Sequence, residues 1–172
     1  MSHIKKLTII AVFSAILFVQ EEALTFIPNV QLTVFLLILY SKVFGFKDTA
    51  IIVCIHTLLD NIVMGSLNIL YFPFMLIGWL LIPIITCTLL KKCDSNLILG
   101  VFSILFSFIY CWIFMVPNII FYSIDIKAYL ISDILWEIVL AISSFLTTLW
   151  LYKPCASVLN KLVDKKNCVY WI

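Results

Sequence analysis

Long apolar runs separated by short polar or Pro/Gly-marked breaks dominate the chain and divide it into six candidate spans. The first covers residues 7–26 and ends before Pro28-Asn29. The second, 30–44, is short and closes on Gly45. The third, 49–64, has Asp48 as a candidate N-cap and Gly65 as a candidate stop. The fourth, 68–90, carries Pro73, Gly78 and Pro83, the fifth covers 96–117, and the sixth 130–152. A helix crossing about 30 Å of hydrocarbon needs roughly 20 mostly apolar residues. Few of these residues alternate as barrel strands do, and an open sheet edge is intolerable in lipid, so the pattern predicts helices.

Composition turns this pattern into a statement about solvent. The chain has 172 residues, 65% hydrophobic and 12% charged, with a mean hydropathy of +1.20. A soluble domain is roughly 45–50% apolar and about 25% charged, and it must present much of its surface to water. The expected fold class is therefore an all-α integral membrane protein with six transmembrane helices, forming a single membrane domain over residues 1–172. A soluble enzyme, a nucleic-acid-binding domain and a disordered chain are excluded. No internal repeat, linker or second domain is evident.

Charge placement gives the orientation. All eleven basic residues are lysines. With the N-terminus cytoplasmic, Lys5, Lys6, Lys42, Lys47, Lys91, Lys92, Lys153, Lys161, Lys165 and Lys166 fall inside and only Lys127 outside, as loops that retain positive charge should. Both termini are then cytoplasmic, in agreement with an even number of spans. Lys5-Lys6 before an apolar run resembles a signal peptide, but Gln20-Glu21-Glu22 stands where a cleavage site would be, so the first helix is read as retained. The tail from Cys155 mixes Lys with Leu162, Val163, Tyr170 and Trp171 and reads as interfacial, and Cys168 is too far from the end for prenylation. The six cysteines contain no C-x-x-C pair and read as apolar packing residues. With His3 and His56 the only histidines, no metal site is expected.

Buried polar groups are the candidate chemistry, because ionisable side chains at membrane depth usually face a cavity or one another. In this orientation they gather in the outer half: Glu21, Glu22, Asn29, Gln31, His56, Asp60, Asn61, Asn68, Asn118, Asp125, Asp133 and Glu137. His56 and Asp60 are four residues apart, as are Asp133 and Glu137, so each pair shares a helix face. Trp79, Trp136, Tyr71, Trp112 and Tyr122 add aromatic surface. Polar groups converging among aromatic walls suit a pocket for a small heterocycle. The plainer alternatives are headgroup-level residues with an aromatic belt and, for His56–Asp60, a structural pair that tethers helices. The expected ligand contacts are Glu22, Asn29, Asp60, Asn61, Asn68, Trp79, Asp133, Trp136 and Glu137. Six outer carboxylates against Lys127 favour a neutral or cationic ligand, since sites for anions ordinarily hold Arg or Lys.

The chain resembles the S components of energy-coupling factor (ECF) vitamin transporters, six-helix membrane proteins of similar size with cytoplasmic termini. Ala11-Val12-Phe13-Ser14-Ala15 matches the family's A-x-x-x-A motif on helix 1, where two small residues one turn apart let another helix approach closely. Residues 21–33 resemble the loop that closes over the ligand, Val43-Phe44-Gly45-Phe46-Lys47-Asp48 the short turn between helices 2 and 3, and Asp60-Asn61-Ile62-Val63-Met64-Gly65-Ser66 the end of helix 3. The likeness implies a bacterial plasma-membrane subunit that captures a vitamin-like molecule from outside. It further implies docking through Ala11 and Ala15 on a T subunit, reorientation in the membrane, and inward release driven by two ATPase subunits.

No catalytic residue or cofactor is expected in this chain, and it has no G-x-x-x-x-G-K-[ST] loop, so ATP would be handled by partners. Two other readings compete. Glu21-Glu22 is similar to the E-E-x-x-x-R signature of intramembrane CAAX-type proteases, but Phe26 stands where the Arg belongs. A non-transport scaffold subunit fits the length and hydropathy. An ion-coupled transporter would ordinarily show an inverted repeat.

Overall fold

The computed structural model describes residues 3–63 and 69–163, and among these the only regular elements are helices. They are α1 (His3–Leu24), α2 (Thr33–Phe44), α3 (Phe46–Val63), α4 (Phe72–Thr88), α5 (Asn96–Tyr122) and α6 (Ile126–Leu162). Met64, Gly65, Ser66 and Asn68 lie outside the described residues, as do Lys165, Lys166, Cys168, Tyr170 and Trp171.

The short second helix is the axis of the bundle. A helix that is apolar on every side belongs in an interior, and nine of the twelve residues of α2 are buried, from Thr33 to Val43. It packs against all five other helices. Leu37, Ile38 and Leu39 are almost wholly enclosed. Around this axis α1 lies on α3, α3 on α4, α4 on α5, and α5 on α6. At 1.5 Å per residue α2 is only about 18 Å long, too short to cross a bilayer by itself.

Among the described residues three helices are long and apolar enough to cross: α1 as Ile4–Leu24, α5, and α6 as Ile126–Lys161. A membrane protein is thereby supported, and six separate crossings exceed what helix length alone shows. In α3, Lys47, Asp48 and Asp60 dilute an otherwise apolar sequence. In α4 the described helix begins at Phe72 and spans 17 residues.

The last two helices overrun the limits expected from sequence. The apolar pattern predicts a fifth helix over residues 96–117, yet α5 continues through Pro117 to Tyr122. A single proline removes one backbone donor, and the apolar residues beyond it keep the helix going. The stop comes at Ser123, with a left-handed φ of 53°; its N–H donates to Ile119 O at 3.1 Å, and the next N–H, of Ile124, reaches back to Asn118 O at 3.3 Å. Asp125 then caps α6, its Oδ1 accepting the Lys127 and Ala128 N–H groups at 2.9 and 3.1 Å. The sixth helix thus starts at Ile126 instead of residue 130 and runs to Leu162, with Pro154 inside it. Small residues let the pair approach: a Cβ on Gly100 would lie 3.0 Å from the Phe145 ring, and Ser107 Oγ donates to Ser144 Oγ at 3.1 Å.

One end of the bundle is held by lysines. Lys6 Nζ lies 2.6 Å from Asp48 Oδ1, joining α1 to α3. Lys42, its side chain only 9% exposed, donates to Leu90 O at 2.6 Å and Lys91 O at 3.2 Å and meets Asp94 at 3.5 Å. A cation on the last carbonyls beyond α4 satisfies groups the helix leaves unpaired and opposes its dipole. Glu21, Thr33 and Asp60 lie toward the other end of the same helices, away from these two lysine–carboxylate pairs.

Candidate functional site

The candidate site grows from the C-terminal half of α3. His56, Thr57, Asp60 and Asn61 are all buried, on the side of the helix turned toward its neighbours. His56 is ten residues from Phe46, about 15 Å along the axis, so it lies near the middle of the bundle. Its Nε2 is 3.1 Å from Glu21 Oε2 at the end of α1. The same Glu21 oxygen accepts from Thr33 Oγ1 at 3.2 Å.

Gln20 fixes the rim beside this pair. Its Oε1 accepts the Leu32 N–H at 2.8 Å, and its Nε2 donates to Thr33 Oγ1 at 2.8 Å and Leu17 O at 2.9 Å. Leu32 has no oxygen in its side chain, so Gln20 supplies from α1 the acceptor that the start of α2 lacks. Ser143 of α6 donates to Gln31 O at 3.2 Å and pins the loop from the other side.

Opposite α3, Trp79 of α4 is fully buried, with its ring centroid 6.4 Å from that of His56. Tyr110 of α5 stacks on Trp79 at 3.8 Å. Gly78 permits this contact, because a Cβ there would stand 2.7 Å from Tyr110 Cδ2. Asn61 Nδ2 donates to Thr57 O at 2.9 Å and approaches Met75 Sδ at 3.1 Å, tying α3 to α4.

Several buried polar atoms around this junction have no hydrogen-bond partner: Glu22 Oε1, His56 Nδ1, Thr57 Oγ1, Asp60 Oδ1 and Trp79 Nε1. His56 Nε2 is close enough to Glu21 for an ion pair but not aligned for a directed hydrogen bond. Glu21, Glu22 and His56 are all within electrostatic reach of Asp60. A buried polar atom left unpaired costs roughly 1–3 kcal/mol, so each of these calls for a partner that the protein does not supply, as do Tyr40 Oη, Thr86 Oγ1, Asn96 Oδ1 and Thr148 Oγ1 elsewhere in the bundle.

The other expected residues are distributed differently. Glu137 is buried, facing Trp112, while Asp133 lies beside Tyr129, in the seam between α5 and α6. Tyr129 Oη also reaches Cys111 O at 3.4 Å. Tyr110 meets α4 while Cys111 and Trp112 meet α6, so α5 separates this group from the one around Asp60. Trp136 is 39% exposed on α6. Asn29 sits half-buried in the loop after α1 with φ of 58°, and Asn68 lies outside the described residues. Ala11 and Ala15 are exposed along α1. Among the described residues no three His, Cys, Asp or Glu side chains are placed to hold a metal ion.

Glu21, Thr57 and Tyr110 join the site without being among the ligand contacts expected from sequence. The four-residue spacing of His56 and Asp60 points to the right face of α3, and Thr57 shares it. Nothing local to Tyr110 announces that it will lie against Gly78, which is 32 positions earlier in the chain. No protein-family model, curated protein or solved structure matches the chain.

Proposed function

We propose that this protein is the substrate-capturing subunit of an ECF-type importer, taking up a vitamin or related small heterocycle. The observation that carries the proposal is the set of buried, unpartnered polar atoms on Glu22, His56, Thr57, Asp60 and Trp79. They occupy the half of an all-helical bundle opposite Lys6 and Lys42, where a molecule arriving from outside would be met. Under this proposal all six helices cross, both termini are cytoplasmic, and the lysine end faces the cytoplasm of a bacterial cell. A 12-residue α2 is compatible with six crossings because it is enclosed by protein and never has to match the bilayer thickness.

The subunit does no chemistry. Aromatic contact and a few oriented hydrogen bonds hold the substrate. The exposed Ala11–Ala15 face of α1 then lets a helix of the T subunit approach closely, and two ATPase subunits supply the energy. The test is purification of the tagged protein from its native membrane, with mass spectrometry of co-purifying proteins and small molecules. Recovery of an ATPase pair with a heterocyclic ligand is expected. A protein reproducibly empty and without ATPases would replace this reading with the scaffold.

A further inference from the structure

The chemical class of the ligand can be narrowed from an arrangement of rings that runs lengthwise through the bundle. At the outer end, Tyr122 is 53% exposed. Its ring stacks with Tyr71 at 6.1 Å, and Tyr71 stacks with Phe114 at 6.0 Å. Phe114 meets Tyr110 edge to face at 4.9 Å, and Tyr110 stacks on Trp79 at 3.8 Å. Tyr71 Oη donates to Asn118 Oδ1 at 2.8 Å, which holds the outer part of the column between α4 and α5. From Tyr122 to Tyr110 is twelve residues of α5, about 18 Å of depth. An aromatic belt would ring the bundle at one level and face lipid. This column instead descends from an exposed tyrosine to a tryptophan with no exposure at all.

What lies at its inner end is negative. The charged groups acting on Asp60 are Glu21, Glu22 and His56, and no lysine is among them. Even with His56 protonated, three carboxylates face one cation. Charges at membrane depth are ordinarily paired, and Glu22 Oε1 and Asp60 Oδ1 have no hydrogen-bond donor from the protein. The indole faces and carboxylates together form the usual surroundings of an organic cation, because a ring presents its negative face to the charge.

We propose that the ligand is an organic cation, an ammonium or a cationic heteroaromatic ring, held against Glu22 and Asp60 at the buried end of the Tyr122–Tyr71–Phe114–Tyr110–Trp79 column. This rests on the capture site of the importer reading and adds the ligand's charge. The cation supplies the positive charge missing from the carboxylate group, and its hydrocarbon or ring body lies on aromatic faces. A neutral molecule of the same shape would leave that compensation to protonation of the carboxyl groups. An anion would be repelled by them.

The experiment uses the full chain in lipid nanodiscs, with benzyltrimethylammonium, its neutral isostere neopentylbenzene, and benzoate as probes. Saturable binding is read from tryptophan fluorescence and confirmed by isothermal titration. Binding of the ammonium at least tenfold tighter than the isostere, with none of benzoate, is expected. Glu22→Gln and Asp60→Asn should each weaken the ammonium at least tenfold while leaving the isostere unchanged, and Trp79→Phe should remove most of the fluorescence response. Should Asp60→Asn fail to fold, Glu22→Gln at the half-buried rim decides. Equal binding of ammonium and isostere, no saturable binding of the ammonium, or indifference to Glu22→Gln overturns the proposal. A neutral or anionic heterocycle recovered with the ATPases would overturn the ligand charge and leave the importer standing. Ammonium binding in a protein that never associates with ATPases would do the reverse.

Discussion

Glu21 and His56 meet at 3.1 Å across the α1–α3 boundary, joining the C-terminal end of one helix to the middle of another. The histidine has no exposure and the carboxylate side chain has 17%. Removing either member takes a close polar neighbour from the other, although Glu21 keeps the hydrogen bond it accepts from Thr33. Glu21→Ala and His56→Ala should each cost about 1–3 kcal/mol. In a double-mutant cycle monitored by unfolding in detergent, the coupling should exceed roughly 0.5 kcal/mol. Additive losses would show that the two side chains are neighbours without being partners.

Gly78→Ala tests the close approach of α4 and α5. The new methyl carbon would stand 2.7 Å from Tyr110 Cδ2, and the ring cannot stay on Trp79 without moving one helix. The expected loss is about 1–3 kcal/mol, the usual range for overpacking, together with a changed tryptophan emission spectrum. An unaltered spectrum would mean that Tyr110 keeps its place on Trp79 and that the helix backbones yield to the methyl group instead.

Lys42→Met removes the cation that caps the carbonyls of Leu90 and Lys91. Hydrogen bonds to charged groups contribute about 1.5–3 kcal/mol each, so thermal stability in detergent should fall measurably. Ligand capture at the other end should persist. Coincident loss of capture at temperatures where the fold is intact would show that the two ends are coupled.

Replacing Ala11 or Ala15 by Trp should leave the isolated protein folded and able to bind, since both positions are exposed. Uptake into cells should fall to background because the close helix contact is blocked. Normal uptake in both variants would remove this face of α1 from the docking surface.

Much of the architecture is legible in the sequence because its cause is local. Apolar runs between polar breaks mark six helices but not their ends, and lysine spacing marks the end where Lys6, Lys42, Asp48 and Asp94 come together. The four-residue spacing of His56 and Asp60 identifies the polar face of α3. Pro117 misleads, since proline stops a helix only when the residues after it prefer another conformation, and α5 ends where Ser123 turns left-handed. Depth alone groups Asp133 and Glu137 with Asp60. Depth says nothing about which side of α5 a residue occupies, and Tyr110 and Trp112, two positions apart, face different helices. Gln20 is invisible as a cap because its partners, Leu32 and Thr33, are brought to it by the chain reversal.

The enclosed position of α2 also governs how this sequence is free to diverge. Lipid accepts any apolar side chain of suitable length, so the outward faces of α1, α5 and α6, rich in exposed Ile, Leu and Val, can exchange residues at little cost. Thr33–Phe44 has no such latitude, because every side of it must fit another helix. A saturation-mutagenesis map would therefore be tolerant around the circumference and intolerant along the axis. Distant relatives should share little beyond that twelve-residue helix, the small residues of the α5–α6 seam, and the spacing of a few buried polar groups.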